Sequence, residues 1–506
     1  MSNTTGTDSR RARRSRGSGG LVQGLRTSIP PVLVTLLLFV LAVPAVLVVA
    51  PGFVGPGSPA PAPSAPAWQQ LPATISAPQV LAPLQQSAPV PLPSAVTAQV
   101  DPLLKTDGGG TFTGVVQDAS TGQVLFDRGG AEGRVPASNL KLLTSVAALR
   151  TLGPDHRFAT KVLRGPAPGQ VVLVGGGDVL LGAGESQPEQ TLGHAGMATL
   201  AALAVDALRA AAATGEIKVL LDDSLFTGPA LNPAWLAGDV EAGEIAPLYP
   251  LALNSARFDP AVATGPRPQD AAMAAAEEFA ARLRAAGAGA GLTVAAGVDR
   301  SPGAATAAGA AGQMAQPAVL AQVESATVAE QVDLMLQVSD NYLAETMGRM
   351  TAVATGRPGS NDGATAAVGA EAGAAGVASD TIKLADVCGL ALGNQVSARQ
   401  FADVVRAITT GADSRLRGAL DGFPVGGLSG TLDTRYGDAA TAGGAGLVRA
   451  KTGTLNTVLA LSGYVVDADG RLLVFSFIGN GLTQGAVGNK QALDRAATAL
   501  AGCGCR

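Results

Sequence analysis

Hydrophobic and polar positions divide the chain into stretches of different character. Residues 1–28 are polar and basic. Residues 29–50 then run for 22 positions without a charge, enough to cross a bilayer as a helix. Residues 51–93 carry twelve prolines among Ala, Ser, Gln and Val, a composition that favours extended backbone and buries too little to fold alone. No charged residue follows Arg26 until Asp101, and from there the pattern becomes that of a folded protein. Residues 111–118 and 123–126 read as two strands joined by the turn residues Ala119-Ser120-Thr121-Gly122. Leu140, Leu143, Val146, Ala147 and Leu149 then mark one face of a helix ending near Gly153.

The same reading continues along the chain. Strands are predicted at 171–174 and 217–221, and helices at about 197–212 and 271–286. Residues 331–338 and 342–347 form two helical runs separated by a short turn. Residues 447–454 read as the approach into a strand, 464–477 as a hairpin beside it, and 489–500 as a closing helix.

Charge and composition narrow the function. A net charge of −4 gives no electrostatic footprint for nucleic acid. Three cysteines, Cys388, Cys503 and Cys505, are too few for a disulfide framework. Cys503 and Cys505 read as a dispensable tail, with metal binding or cross-linking as the alternative. With only His156 and His194, a three-histidine zinc site is excluded and a Ser-His-Asp triad has little to draw on. No metal or cofactor is expected. Arg10, Arg11, Arg13, Arg14, Arg16 and Arg26 precede the apolar run, which places the N-terminus in the cytoplasm and the rest outside. The expectation is a single-pass membrane anchor at 29–50, with a cleaved signal sequence as the alternative.

Three short motifs supply the chemistry: Ser138-Asn139-Leu140-Lys141, Ser339-Asp340-Asn341 and Lys451-Thr452-Gly453-Thr454. Ser138 falls at a helix start with Lys141 one turn on, so an amine faces a hydroxyl. A buried lysine loses its proton more easily and then acts as a base, while backbone N–H groups at a helix N-terminus suit a developing oxyanion. The alternative for Ser138 alone is a helix cap. A cation and hydroxyl on a strand, Lys451 and Thr452, suit a terminal carboxylate, and Gly453 permits close backbone approach. Together and in this order, the motifs are those of the penicillin-recognising serine enzymes.

Residues around the first motif sharpen this. The run Asp118, Thr121-Gly122, Leu125-Phe126 and Pro136 to Thr144, continued by residues 152–160, resembles the D-alanyl-D-alanine carboxypeptidase/endopeptidase family, the class C low-molecular-mass penicillin-binding proteins. The resemblance implies an α+β fold, a β-lactamase-like domain with an antiparallel sheet flanked by helices. It also implies a large inserted domain, because almost 200 residues separate Lys141 from Ser339. The expected organisation is a basic tail at 1–28, the span at 29–50, a linker at 51–95, a catalytic domain at 96–160 and 322–502, and the insertion at 161–321.

By resemblance, Ser138 is the nucleophile, Lys141 its base, and Ser339 a proton relay between Lys141 and the leaving group. Asn341 bonds the lysine and the substrate amide, and Lys451, Thr452, Gly453 and Thr454 bind substrate. The N–H groups of Ser138 and Thr454 would form the oxyanion hole. Expected partners are peptidoglycan stem peptides and β-lactams, with membrane attachment through the N-terminal helix. A β-lactamase or esterase on the same fold and a non-catalytic wall-binding protein remain alternatives. Gly175-Gly176-Gly177-Asp178 and Asp222-Asp223 read as turns after strands, Asp340 as structural, and Glu345 as a helix-surface or buried partner. In residues 386–391, Cys388 and Ala391 stand where relatives commonly carry serines.

Overall fold

The computed structural model describes residues 87–262, 264–303 and 318–504. The expected basic tail, membrane span and nearly all of the linker lie outside the described residues. The described residues belong to one compact unit. Its elements are α1 (Pro93–Val100), β1 (Thr111–Asp118), β2 (Val124–Arg128), α2 (Lys141–Thr151), β3 (Arg157–Arg164), β4 (Gln170–Val174), α3 (Met197–Ala210), β5 (Glu216–Asp222), α4 (Ala271–Ala288), β6 (Thr293–Arg300), β7 (Val319–Thr327), α5 (Val328–Gln337), α6 (Asn341–Ala354), α7 (Asn361–Ala374), α8 (Ala398–Thr410), β8 (Arg449–Leu455), β9 (Val458–Val466), β10 (Leu472–Asn480) and α9 (Val487–Ala501).

Two sheets organise these elements. The first, in the order β2-β1-β10-β9-β8, is antiparallel throughout. Val115, Ala460, Val474 and Ile478 face the larger core, built on α2, α5, α6 and α8. Val116, Leu461, Phe475 and Phe477 face the opposite core under α1 and α9. Because both faces are covered, β10 is buried from Leu473 to Gly479 and reads as a continuous rather than an alternating apolar run. This is the antiparallel sheet flanked by helices that the sequence led us to expect. Cys503 is buried in the second core and disulfide-bonded, so it is part of the packed structure and not a loose tail.

The second sheet has the order β6-β5-β4-β3-β7. β3 runs antiparallel to β4 and β7, while β4, β5 and β6 are parallel. Its own core lies under α3 and α4. The sheet takes its outer residues from Arg157 and Thr327, beyond the expected limits of the insertion at both ends. Trp235, Ile245, Leu248 and Ala252, from the middle of the insertion, belong instead to the larger core of the first sheet. That return segment brings the insertion to the catalytic cleft.

Candidate active site

The first motif begins in a tight turn. Residues 137–140 form one 3-10 turn that runs directly into α2. Ala137 has a φ of 48°, a conformation costly for a residue with a Cβ and one that clusters at functional sites. Asn139 points into the sheet, where its Nδ2 donates to Ser462 Oγ at 2.6 Å, and Ser462 donates to Ser476 at 2.8 Å. This buried polar chain pins the turn to β9 and β10. Ser138 is only half-buried, and its side chain caps no helix, so the capping alternative fails.

Two glycines let other segments close on this turn. A Cβ at Gly453 would lie 2.8 Å from Pro136 O and 3.2 Å from Ser138 N. A Cβ at Gly389, whose φ is 97°, would lie 2.0 Å from Ala137 O. Strand β8 and the 386–391 loop thus approach Ser138 from two sides at distances only glycine permits.

Lys141 is fully buried, and its Nζ meets three acceptors: Ser138 Oγ at 3.0 Å, Asn341 Oδ1 at 2.6 Å and the Cys388 carbonyl at 2.8 Å. The two carbonyl oxygens can only accept. When the amine is neutral they take its two N–H groups, and its lone pair is left for the Ser138 hydroxyl. Burial pushes the Lys141 pKa below the ordinary 10.5, although the charges of Cys388, Asp386, Asp340 and Glu345 pull the other way. Geometry and desolvation therefore both favour a base.

The second motif is a turn between α5 and α6, as its sequence indicated. Ser339 sits at a φ of 59°. Asp340 caps α6 through Leu343 N at 2.9 Å and accepts from Ser255 Oγ at 2.9 Å and Arg257 Nη1 at 2.7 Å, so it anchors the turn to the insertion. Asn341 Nδ2 donates to the Glu244 carbonyl at 3.0 Å, which fixes the amide and turns its oxygen toward Lys141. Ser339 Oγ, expected to serve Lys141, accepts instead from Lys451 Nζ at 3.0 Å.

Lys451 is also buried, and it donates to the Thr452 carbonyl at 2.9 Å. Burial holds its pKa well below 10.5, and repulsion from Lys141 adds to this. A bound carboxylate would supply the missing counter-charge and favour the ammonium form. Thr452 Oγ1 lies 2.7 Å from Thr431 Oγ1. Strand β8 is an edge strand, and Thr454 is exposed on it, so its outer backbone groups are placed to pair with an extended peptide.

Sequence reasoning missed the 386–391 loop as a support for the base. Glu345, fully buried, accepts from the backbone N–H of Val387 and of Cys388, each at 2.8 Å. Asp386 accepts from Gly389 N and Asn394 Nδ2 on one oxygen, and from Trp235 Nε1, Cys388 Sγ and Ala391 N on the other. The two carboxylates fold the loop and aim the Cys388 carbonyl at Lys141. Cys388 and Ala391 therefore contribute backbone, which explains how the loop tolerates losing two serine hydroxyls. Buried carboxylates around a Gly were the available signal. Glu345, Asp386 and Cys388 bring ligand-type atoms within 4.8 Å of one another, but these hydrogen bonds occupy every carboxylate oxygen except Glu345 Oε2, the chemistry of a loop clamp. His156 packs edge-on against Phe158, and His194 contacts Arg157, so neither histidine joins the site.

An antiparallel sheet flanked by helices, with a Ser-Lys turn facing a Lys-Thr-Gly edge strand, defines the penicillin-recognising class of serine enzymes. Comparison with known proteins places the chain within that class. The model of the D-Ala-D-Ala carboxypeptidase 3 (S13) family matches residues 96–300 and 266–500, and the chain belongs to that family. It is 36% identical to a carboxypeptidase of Mycobacterium tuberculosis over 87% of this chain and 90% of the relative. It is 35% identical to the carboxypeptidase DacB of Mycolicibacterium smegmatis over 84% and 87%. Among solved structures, penicillin binding protein 4 of Haemophilus influenzae aligns with a TM-score of 0.61 at 20% identity, over 80% of this chain and 97% of that one, a likeness of fold.

Proposed function

We propose that this chain is a serine D-Ala-D-Ala carboxypeptidase acting on peptidoglycan stem peptides, with Ser138 as nucleophile. The observation that carries the reading is the bonding of Lys141, whose two carbonyl partners direct its lone pair at Ser138. The terminal carboxylate of the substrate binds Lys451 and Thr452, and its backbone lies along β8. Ser138 Oγ attacks the carbonyl of the D-Ala-D-Ala bond while Lys141 takes its proton. The N–H groups of Ser138 and Thr454 stabilise the oxyanion. Collapse releases D-alanine, whose amine takes up the proton that Lys141 received from Ser138, relayed through the Ser339 hydroxyl, so that Lys141 is neutral again for the next step. Water then hydrolyses the acyl-enzyme. A β-lactam offers the same carboxylate and carbonyl and acylates the same serine.

Labelled penicillin tests this. The wild-type protein is expected to be labelled in a form that survives denaturation, and Ser138→Ala is expected to take up none. Equal labelling of the two sinks the assignment. Release of D-alanine from purified muropeptides, followed by mass spectrometry, separates terminal trimming from cross-link cleavage.

Attachment to the membrane through residues 29–50, with the catalytic unit outside the cytoplasm, is part of the same proposal. It rests on the arginines and the uncharged run alone. Among the described residues no helix is long and apolar enough to cross a membrane. Retention of the full chain, and loss of a chain lacking residues 29–50, from the alkali-washed membrane fraction is the expected result.

A further inference from the structure

A second cavity lies away from Ser138, where the parallel part of the second sheet meets α6. Its volume is about 440 Å³, within the range of small-molecule sites. It opens beyond the last residues of β5 and β6, Asp222 and Arg300. In open α/β sheets, ligands bind outside the carboxyl ends of the strands.

Two arginines line it, and they differ in how they are bonded. Arg300 is paired with both Asp223 and Asp270 and lies 5.7 Å over the Tyr249 ring. Arg349 is 1% exposed. Its Nη groups reach only the carbonyls of Gly359 and Pro229, at 3.5 and 3.3 Å, and its Nε has no hydrogen-bond partner. Its guanidinium sits 5.4 Å over Phe226. The charge of Glu345, one turn earlier on α6, acts on Arg349 without a hydrogen bond between them, and a buried guanidinium with five donors so poorly used is short of the hydrogen-bonded planar acceptor its shape matches, a carboxylate. Thr227 and Tyr249 bring hydroxyls to the same cavity, and Asp223 a negative charge.

We propose that this cavity is a second binding site, for an amino acid or short peptide with a free carboxylate, held by Arg349 with its amino group toward Asp223. The choice of ligand class rests on the carboxypeptidase reading, because that reaction releases D-alanine and works among stem peptides. The site itself rests on the cavity and Arg349.

Calorimetry on the full-length chain carrying Ser138→Ala removes turnover from the measurement, with D-alanine, N-acetyl-D-alanyl-D-alanine and inorganic phosphate as probes. One equivalent of an amino-acid or peptide probe is expected to survive Lys451→Met, which removes the catalytic carboxylate anchor. That equivalent is expected to weaken about tenfold or more in Arg349→Lys, which keeps the charge and removes the planar fork. It should also weaken in Thr227→Val, an exposed position at which folding is not at risk. The proposal is overturned if no equivalent survives Lys451→Met, if Thr227→Val binds as tightly as its parent, or if phosphate is bound in preference to both other probes. Failure of penicillin to label the wild-type Ser138 would instead count against the carboxypeptidase reading, so the two failures are distinguishable.

Discussion

At the scale of single residues, the site depends on how many partners Lys141 has. Replacement by arginine keeps a cation but removes the base, because a guanidinium does not deprotonate. Lys141→Arg is expected to lower the rate of penicillin acylation by about 10²–10⁴-fold. In the wild type, burial lowers the lysine pKa, so the acylation rate should rise with pH and level off below 10.5, the ordinary value; a rate still climbing through 10.5 contradicts an active base. Glu345 acts through the Cys388 carbonyl. Burial, aided by repulsion from Asp386, pushes its pKa to about 7, and in either protonation state one oxygen still accepts the two backbone N–H groups. Glu345→Gln should therefore keep acylation close to wild type. Glu345→Ala leaves two buried donors unpaired, at about 1–3 kcal/mol each, and should both destabilise the fold and slow acylation. Stopped-flow acylation with parallel denaturant melts separates the two effects. The contact between Ser138 and Lys141 was legible from motif spacing. The partner of Ser339 was not, because which lysine a hydroxyl meets is decided by a strand more than a hundred residues away. The role of the Cys388 carbonyl was also hidden, because a backbone oxygen leaves no mark in the side-chain pattern.

At the scale of elements, the cleft is made by backbones brought unusually close. Gly389 combines a positive φ with a 2.0 Å conflict for any Cβ. Gly389→Ala is thus expected to destabilise the protein by about 1–3 kcal/mol and to move the loop from Lys141, so that residual folded protein is acylated more slowly. An unchanged acylation rate would show that the loop does not support the base. Strands and helices were readable as apolar runs of the right length between turn residues: β1, β4, β5, α3, α4 and α9 fall within a few residues of their predicted limits. The interruption at Ala137, a tight turn in place of a plain helix start, was not readable, since tertiary contacts from β8 and the 386–391 loop impose it. The return of residues 235–256 from the insertion to the catalytic core was similarly hidden. Apolar residues there pack against a core whose other members lie elsewhere in the chain.

At the scale of the whole molecule, buried charge ties distant parts together. Asp118, at the end of β1, is fully buried and paired with Arg471, which immediately precedes β10. Burial alone would raise its pKa, but the bonds from Arg471 and Thr121 outweigh it and hold the carboxyl below 3.8. The pair therefore adds stability above the ordinary carboxylate pKa, and the contribution is lost as pH falls through the lowered one. Asp118→Ala leaves Arg471 buried without that partner and should destabilise the protein by about 3–5 kcal/mol in urea titrations at neutral pH. The difference from wild type is expected to shrink in strong acid.

The order of the first sheet also sets when the enzyme exists. Thr111 pairs with Asn480, and Asp118 with Leu473, so the strand made first waits for the strand made nearly last. During synthesis β1 has only β2 beside it, while the second sheet, closed between residues 157 and 327, has all its strands in hand. Pairing over such separations is slow to form. A chain stopped anywhere before β10 holds the nucleophile turn without the sheet that pins it. The turn that carries the nucleophile is therefore expected to be pinned in place only once β9 and β10 have joined the sheet.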